Sequence, residues 1–335
     1  MKKLIALLLA LAMIACLFVG CGGTDEPETP DTPDTPDVTD APVAEKKTIG
    51  IFVKDNTNPF WRYVVNGAMK AGEDLGVEVI EYTPAEGQNV EQQVSLVQDA
   101  IQAKVDAIAF VAIDAEALTD SCKQAMEAGI TVVPFNSRMD DLGCKTFVGI
   151  DNYTAMTLLM EALYEKLGGE GKVVILEGHL GGYANNERMR AINDFIASHP
   201  SLEVVFDQSA DAQRELAMTV MENCLQTCDE IDAVICHNDN VAMGAYQAIL
   251  AAGRVGEMII TGFDAQVEAL ESMVEDNPPK IDMTIDQSPF GQGYYAIEAC
   301  VKILNGEAVE EHIVTGGTIV TPENAQAILD EFYSA

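Results

Sequence analysis

The chain has 335 residues and is strongly acidic, with 54 Asp and Glu residues against 19 Lys and Arg and a formal net charge of −35. A charge of this sign excludes the basic footprint that nucleic-acid-binding proteins present, so we expect no nucleic-acid partner. The length beyond residue 47 is enough for two lobes of ordinary domain size.

The N-terminal segment has the pattern of an export signal. The basic start Met1-Lys2-Lys3 precedes an apolar run that ends at Val19, which is shorter than the roughly 20 residues needed to span a membrane. Phe18-Val19-Gly20-Cys21 then resembles a bacterial lipobox. We therefore predict a lipoprotein signal over 1–21 with a lipidated Cys21, at the extracytoplasmic face of a bacterial cell membrane. Phe18 stands where Leu is usual, and plain secretion is the alternative.

The next segment, 22–47, is predicted to be an extended tether. Between Gly22 and Glu45 it carries eight acidic residues, five prolines and no basic residue, with a repeated Thr-Pro-Asp. Such a composition buries too little apolar surface to fold, so the chain stays solvated.

The folded part begins with a strand, a polar loop and a helix. The apolar run Ile49–Val53 predicts a buried strand, Asn58 suits an N-cap, and Pro59 suits the first helical position. Apolar residues recur at helical spacing until Gly76, where the helix should end. Phe60 and Trp61 fall at the mouth of this loop, either as ligand contacts or as core residues at the start of the helix.

Strand and helix patterns then alternate along the chain. Further strands are predicted at 77–82, 105–113, 129–135, 146–150, 172–177, 202–206, 233–236, 258–262 and 281–285. Further helices are predicted at 90–103, from 114 onward, and at 153–167, 187–198, 214–224, 241–252 and 291–304. This alternation indicates an α/β protein with two doubly wound parallel-sheet lobes.

Polar residues follow nearly every predicted strand, where a parallel sheet binds ligands. Amide, carboxylate and guanidinium groups pair with neighbouring hydroxyls, and aromatic rings cover the C–H face of a sugar. Each of these residues taken alone is explained as a loop side chain whose hydrogen bonds are made within the protein, or as a helix cap. Together they indicate a carbohydrate site. The predicted ligand-binding residues are Asn58, Phe60, Trp61, Asn136, Arg138, Arg188, Asn238, Asp264 and Gln287.

Catalytic and cofactor motifs are absent from the sequence. Neither a dinucleotide fingerprint nor a P-loop nor a nucleophile elbow occurs, and the four histidines match no metal or triad spacing. The glycine-rich segment Gly178–Gly182 lacks a lysine at the following helix, which favours a flexible cleft loop over a phosphate cradle. We expect no enzymatic activity, no cofactor and no metal. The disulfide state is left open for Cys122, Cys144, Cys224, Cys228, Cys236 and Cys300.

Four motifs, in this order along the chain, match the pattern of a known protein family. They are Asn58-Pro59-Phe60-Trp61, Asn238-Asp239-x-x-Ala242-x-Gly244-Ala245, Gly262-Phe263-Asp264, and Gln287 after Thr284-Ile285. Over about 48–325 the chain resembles the sugar-binding proteins of ABC importers, of the ribose- and galactose-binding type (periplasmic binding protein fold type I).

The resemblance implies two lobes, 48–150 plus 289–315 and 151–288 plus 316–335, with crossovers near 150–151, 287–288 and 315–317. It implies that a monomer closes over a monosaccharide or cyclic polyol and delivers it to a membrane permease. It also assigns sugar contacts to all of the predicted residues except Arg138.

Two departures from the family pattern bear on the ligand. Asn136-Ser137 stands where ribose binders have Asp-Arg, with Arg138 one place later, and Ala212 stands where they carry an aromatic ring. The galactose-type calcium loop is not visible. We therefore expect a ligand larger than a free pentose: a hexose, a cyclic polyol or a small glycoside.

Three other functions use the same fold. The effector domain of a sugar-responsive repressor is disfavoured by the export signal and by the lack of a DNA-binding headpiece. An enzyme is disfavoured by the lack of catalytic motifs. A receptor that presents a sugar or an autoinducer to a membrane sensor is the alternative to transport.

Overall fold

A computed structural model describes residues 46–334. The predicted signal, Cys21 and most of the tether lie outside this part of the chain. Within 46–334, no helix is both long enough and apolar enough to cross a membrane.

The described chain alternates strands and helices. Its first part contains β1 (Thr48–Phe52), α1 (Pro59–Leu75), β2 (Glu78–Tyr82), α2 (Val90–Ala103), β3 (Ala107–Phe110), α3 (Ala115–Glu127), β4 (Thr131–Pro134) and β5 (Phe147–Gly149). Its middle part contains α4 (Asn152–Lys166), β6 (Gly171–Glu177), α5 (Tyr183–Ser198), β7 (Leu202–Ser209), α6 (Arg214–Thr227), β8 (Ala233–Cys236), α7 (Asp239–Ala251), β9 (Ile259–Thr261) and α8 (Val267–Glu275). Its last part contains β10 (Thr284–Asp286), α9 (Pro289–Leu304), β11 (His312–Val314), β12 (Thr318–Val320) and α10 (Ala325–Ser334).

The strands form two parallel sheets of four strands each. The first has the order β2-β1-β3-β4 and the second the order β7-β6-β8-β9. Because neighbouring strands run the same way, the loops that follow them gather at one edge of each sheet. The predicted α/β fold class is confirmed.

Apolar residues cover both faces of the first sheet, which explains why its strands are continuous hydrophobic runs. Ile49 and Ile51 of β1 pack with α1 and α9, whereas Phe52 packs on the opposite face with Tyr82 and Phe110. Phe52 and Tyr82 stack at a centroid distance of 4.5 Å. The second sheet is covered in the same way by two further apolar clusters.

Short strands lie beside the two sheets. β11 pairs in parallel with β5, and β10 pairs antiparallel with β12. Single bridges link Phe135 to Val148, and both Thr261 and Asp264 to the β10 segment. Although α9 comes late in the chain, it packs against α1 and the first sheet. The residue bounds of the two lobes stay a prediction.

Three helices differ from the sequence prediction, and one of them, α10, was not predicted at all. α5 begins at Tyr183 rather than at residue 187, directly after the glycine-rich segment. α8 was not predicted either, because its nine residues are too few to show a clear helical period.

Candidate functional site

The start of α1 holds three of the predicted residues in fixed positions. The Asn58 side chain accepts a hydrogen bond from the Phe60 backbone N–H at 3.0 Å, and Pro59 occupies the first helical turn. The Phe60 and Trp61 rings meet edge to face at 4.9 Å. Both rings belong to the core cluster and both line a cavity. Phe60 and Trp61 are therefore core residues that also face the cavity, so the interpretation as core residues and the interpretation as ligand contacts are compatible.

The cavity lies where the loops of the two sheets meet and has a volume of about 60 Å³. Its wall includes residues that follow β1 and β4 of the first sheet and residues that follow β8 and β9 of the second. The structure brings eight of the nine predicted residues to this wall: Asn58, Phe60, Trp61, Asn136, Arg188, Asn238, Asp264 and Gln287.

A chain of buried amides connects one side of the cavity. Asn136 Nδ2 donates to Gln292 Oε1 at 3.0 Å, and Gln292 Nε2 donates to the Gln287 carbonyl at 3.0 Å. Gln287 Nε2 in turn donates to Asp264 Oδ1. Asn136 and Asp264 have φ values of 58° and 125°, a region that non-glycine residues rarely occupy and that recurs at functional sites.

Asp264 is the carboxylate of the cavity wall. Gln266 Nε2 donates both to Asp264 Oδ2 at 3.2 Å and to Asn58 Oδ1 at 3.0 Å, which ties the second sheet's loops to the start of α1. Burial raises the pKa of Asp264 to about 6, although Arg188 and the two glutamine amides oppose the change. The carboxylate is thus poised to accept hydrogen bonds from ligand hydroxyls above that pH.

A second carboxyl group, Asp239, lies behind Asp264. It is fully buried and accepts hydrogen bonds from the Gln266 backbone N–H and the Thr284 hydroxyl, both at 2.7 Å. Burial, and then the charge of Asp264, raise the pKa of Asp239 to about 7. It does not line the cavity, and its hydrogen bonds position the loop that carries Asp264.

Arg188 is held in a fixed orientation. Its Nε donates to Asn152 Oδ1 at 2.9 Å, and one terminal nitrogen donates to the His237 carbonyl at 2.7 Å. The guanidinium lies 3.6 Å from the centroid of the Phe263 ring. Burial lowers the pKa of Arg188 to about 10, so the group stays charged at neutral pH.

Lys54 lines the cavity and was missed by the sequence analysis. Its side chain is 8% exposed, makes no hydrogen bond to a residue in the described part of the chain, and lies 6.0 Å from the Trp61 ring. Burial, and then the charge of Arg188, lower its pKa to about 8. A lysine directly after a fully apolar strand was the signal that could have identified it.

Arg138 does not line the cavity, unlike the other eight predicted residues, and its role as a ligand contact stays a prediction. Its guanidinium lies 4.5 Å from the Phe147 ring centroid and contacts His312 Nδ1 at 3.1 Å. It lines a separate surface depression instead.

Other residues of the cavity wall were also not predicted. They are Gln88, His179, Asn185 and His237, together with the expected neighbour Ala212. Burial, and then the charges of Arg188 and Lys54, lower the pKa of His237 well below its usual value, so its imidazole is neutral. Asn185 could have been found at the start of α5 if the helix had been predicted to begin at Tyr183.

The six cysteines of the described residues are free thiols in the structure. Within residues 46–334, His, Cys, Asp and Glu side chains form no group of three that could hold a metal ion.

Comparison with known proteins identifies similar chains. The family model described as "Periplasmic binding protein domain" matches residues 49–308. The ribose import binding protein of Bacillus subtilis is 34% identical over 267 residues, which cover 79% of this chain and 84% of that protein.

Solved structures with the same fold include two with bound ligands. An ABC transporter solute-binding protein from Bacillus halodurans with bound myo-inositol is 31% identical, has a TM-score of 0.79, and aligns over 87% of this chain and all of that one. A periplasmic solute-binding protein from Actinobacillus succinogenes with bound D-allose is 29% identical, with a TM-score of 0.78 and coverage of 84% and 100%. These relatives are binding proteins, and the prediction that the chain is not an enzyme is confirmed.

Proposed function

Since the chain belongs to the periplasmic binding proteins, of the sugar-binding type that serves ABC importers, we propose that it captures a monosaccharide or cyclic polyol between two lobes and delivers it to a membrane permease. The proposed lobes are 48–150 plus 289–315 and 151–288 plus 316–335. The ligand-binding residues are the eight predicted residues of the cavity wall, with Lys54 added.

One observation carries this proposal. A single buried cavity combines an aromatic wall from α1 with hydrogen-bonding groups from the loops of both sheets. Neutral amides and oppositely charged groups suit a ligand with many hydroxyls, because each hydroxyl can both donate and accept. Phe60 and Trp61 supply the apolar faces that cover ring C–H groups.

The decisive experiment is a thermal-shift screen of monosaccharides and polyols, followed by isothermal titration of each compound that binds. A ligand that binds only the folded state raises Tm by mass action. D-allose and myo-inositol, found in the two similar structures, are the first compounds to test. A complete screen without any stabilising sugar or polyol would contradict the proposal.

We expect the size of the ligand from Ala212, which lines the cavity and stands where ribose binders carry an aromatic ring. We expect hexoses or cyclic polyols to bind more tightly than ribose. If ribose binds at micromolar affinity or better while hexoses and inositols produce no heat, the argument from Ala212 is wrong.

The proposal includes attachment to the membrane through Cys21. A lipid anchor followed by an acidic tether would hold the binding lobes near the permease. Mass spectrometry of the membrane fraction should detect an N-terminal peptide that begins with a diacylated Cys21. A soluble form that begins at another residue would contradict the anchor and leave the binding function intact.

A further inference from the structure

A polar groove of about 450 Å³ adjoins the binding cavity. One wall consists of the loop after β1, including Asp55 and Thr57, and the other of the start of α6, including Arg214 and Glu215. Gln88 and Ala212 line both the cavity and the groove. The two spaces therefore meet at these two residues.

The two residues at the boundary between the cavity and the groove are held in place by hydrogen bonds, and one of them has a small side chain. Ala212 contributes only a methyl group, and its carbonyl accepts a hydrogen bond from Asn240 Nδ2 at 3.1 Å. On the other side, Gln88 Nε2 donates to Asp55 Oδ2 at 3.2 Å. To reach the groove, a substituent on a ring in the cavity would have to pass between the Ala212 methyl group and the Gln88 amide.

The charges of the groove limit what can occupy it. Asp55, Glu215 and Glu268 line it together with one cation, Arg214, whose guanidinium pairs with Glu268 at 2.6 Å. Asp55 already accepts hydrogen bonds from the backbone N–H groups of Thr57 and Asn58. The surplus of carboxylates repels an anionic substituent, whereas exposed carboxylate and amide oxygens accept hydrogen bonds from hydroxyls.

We propose that this groove is a second subsite, which holds a neutral glycosyl group attached to the ring in the cavity. The natural ligand is then a small glycoside or a glycosylated polyol. This inference rests on the proposed function, since the first ring must occupy the cavity.

The test measures matched pairs of ligands by isothermal titration. The probes are D-galactose with lactose, D-glucose with maltose, and myo-inositol with galactinol, each with the methyl glycoside where one exists. At least one glycosylated probe should bind within tenfold of its free ring or more tightly. D-glucose 6-phosphate should bind more weakly than D-glucose, because its phosphate would face the carboxylates of the groove.

Glu215→Trp fills the groove from an exposed position on α6 and should lower the affinity for the glycosylated probe at least tenfold relative to the free ring. Glu222→Trp, at an exposed position of the same helix outside the groove, is the matched control and should leave this ratio within twofold. Ala212→Phe, which narrows the boundary itself, should change the ratio in the same direction as Glu215→Trp.

The outcomes separate the two proposals. If a free ring binds and every glycosylated partner fails, or if Glu215→Trp and Ala212→Phe lower both affinities equally, the second subsite is wrong and the proposed function stands. If no compound of the complete monosaccharide and polyol screen binds and no glycoside binds, the proposed function is wrong and the subsite falls with it.

Discussion

Asp264 and Arg188 are the charged pair of the cavity, and both are almost fully buried. Hydrogen bonds from a ligand hydroxyl to a charged group are stronger than bonds to a neutral one. Asp264→Ala or Arg188→Ala should therefore lower ligand affinity roughly tenfold to a hundredfold, or about 1.5–3 kcal/mol. Isothermal titration measures the change, with Asp99→Ala on the exposed face of α2 as the control. An unchanged affinity for Asp264→Ala would show that the assigned site is wrong.

The pH dependence of binding follows from the raised pKa of Asp264, which is about 6. Above this pH the ionised carboxylate accepts strong, charge-assisted hydrogen bonds, whereas below it the protonated carboxyl group is a weaker acceptor. Affinity should thus be highest near pH 7, where Asp264 is ionised and Lys54, with a pKa of about 8, is still charged, and it should fall between pH 6 and 5 by up to about tenfold per pH unit. Titrations of wild type and Asp264→Asn across this range test the assignment, because the variant should bind weakly at every pH with a flatter profile.

We expect Lys54 to destabilise the ligand-free protein and to contribute to ligand binding. A pKa lowered from 10.5 to about 8 by burial corresponds to about 3 kcal/mol of unfavourable free energy for the charged form in the folded state. Lys54→Met should therefore raise the free energy of unfolding of the ligand-free protein while weakening ligand binding. The gain should be complete below pH 8, where both states of the wild type carry the charge, and should fade between pH 8 and 10.5 as the folded state loses its proton.

Denaturant unfolding at several pH values measures this effect. Lys123→Met on the exposed face of α3 is the control, and it should change stability little at any pH. A destabilised Lys54→Met protein would mean that Lys54 contributes favourable contacts that outweigh its burial.

Residue chemistry at the strand ends could be predicted from the sequence, but the direction of each side chain could not. Asn58, Asp264 and Gln287 lie in loops that follow strands, and all three line the cavity. Arg138 also lies in a loop that follows a strand, β4, but it packs on Phe147. The direction of its side chain depends on a backbone turn at Asn136, which only the structure shows. Lys54 was missed because a lysine beside an apolar strand is usually a solvated residue.

At the scale of elements, the contact between α1 and α9 depends on two glycines. A Cβ atom added to Gly67 would lie 2.0 Å from the Phe290 carbonyl oxygen, and one added to Gly293 would lie 1.9 Å from the Val64 carbonyl oxygen. Gly293→Ala should force the helices apart and cost about 1–3 kcal/mol of stability, as overpacking does in other cores. Thermal unfolding measures the loss.

The control for this prediction is Ser95→Ala on the exposed face of α2, which should change Tm little. If Gly293→Ala leaves Tm unchanged, the two helices are not packed as closely as the structure shows. Since α9 returns to the first sheet from far along the chain, the same variant also tests whether the late helix stabilises the early part of the fold.

The helices and long strands could be predicted because their apolar periods are strong. α2 begins at Val90 and ends at Ala103, and β8 spans Ala233–Cys236, both as the sequence predicts. The predicted strand 105–113 is longer than β3, because its apolar run continues after the pairing with neighbouring strands ends. β11 and β12 have three residues each, too few for any period, and only their pairing partners define them.

At the scale of the whole molecule, ligand capture should bring the two proposed lobes together. Residues from both sheets complete the cavity, and the buried bond from Gln266 to Asn58 Oδ1 at 3.0 Å joins loops that are 208 positions apart in sequence. We expect such contacts to form when the two proposed lobes close, and a ligand that bonds both sides would shift the population toward that closed form. Small-angle scattering at saturating ligand should therefore give a smaller radius of gyration than the ligand-free protein. Asp264→Ala at the same ligand concentration is the control and should show a smaller decrease in radius, in proportion to its lower occupancy, whereas an unchanged wild-type profile at saturation would mean that the protein does not bind by closure.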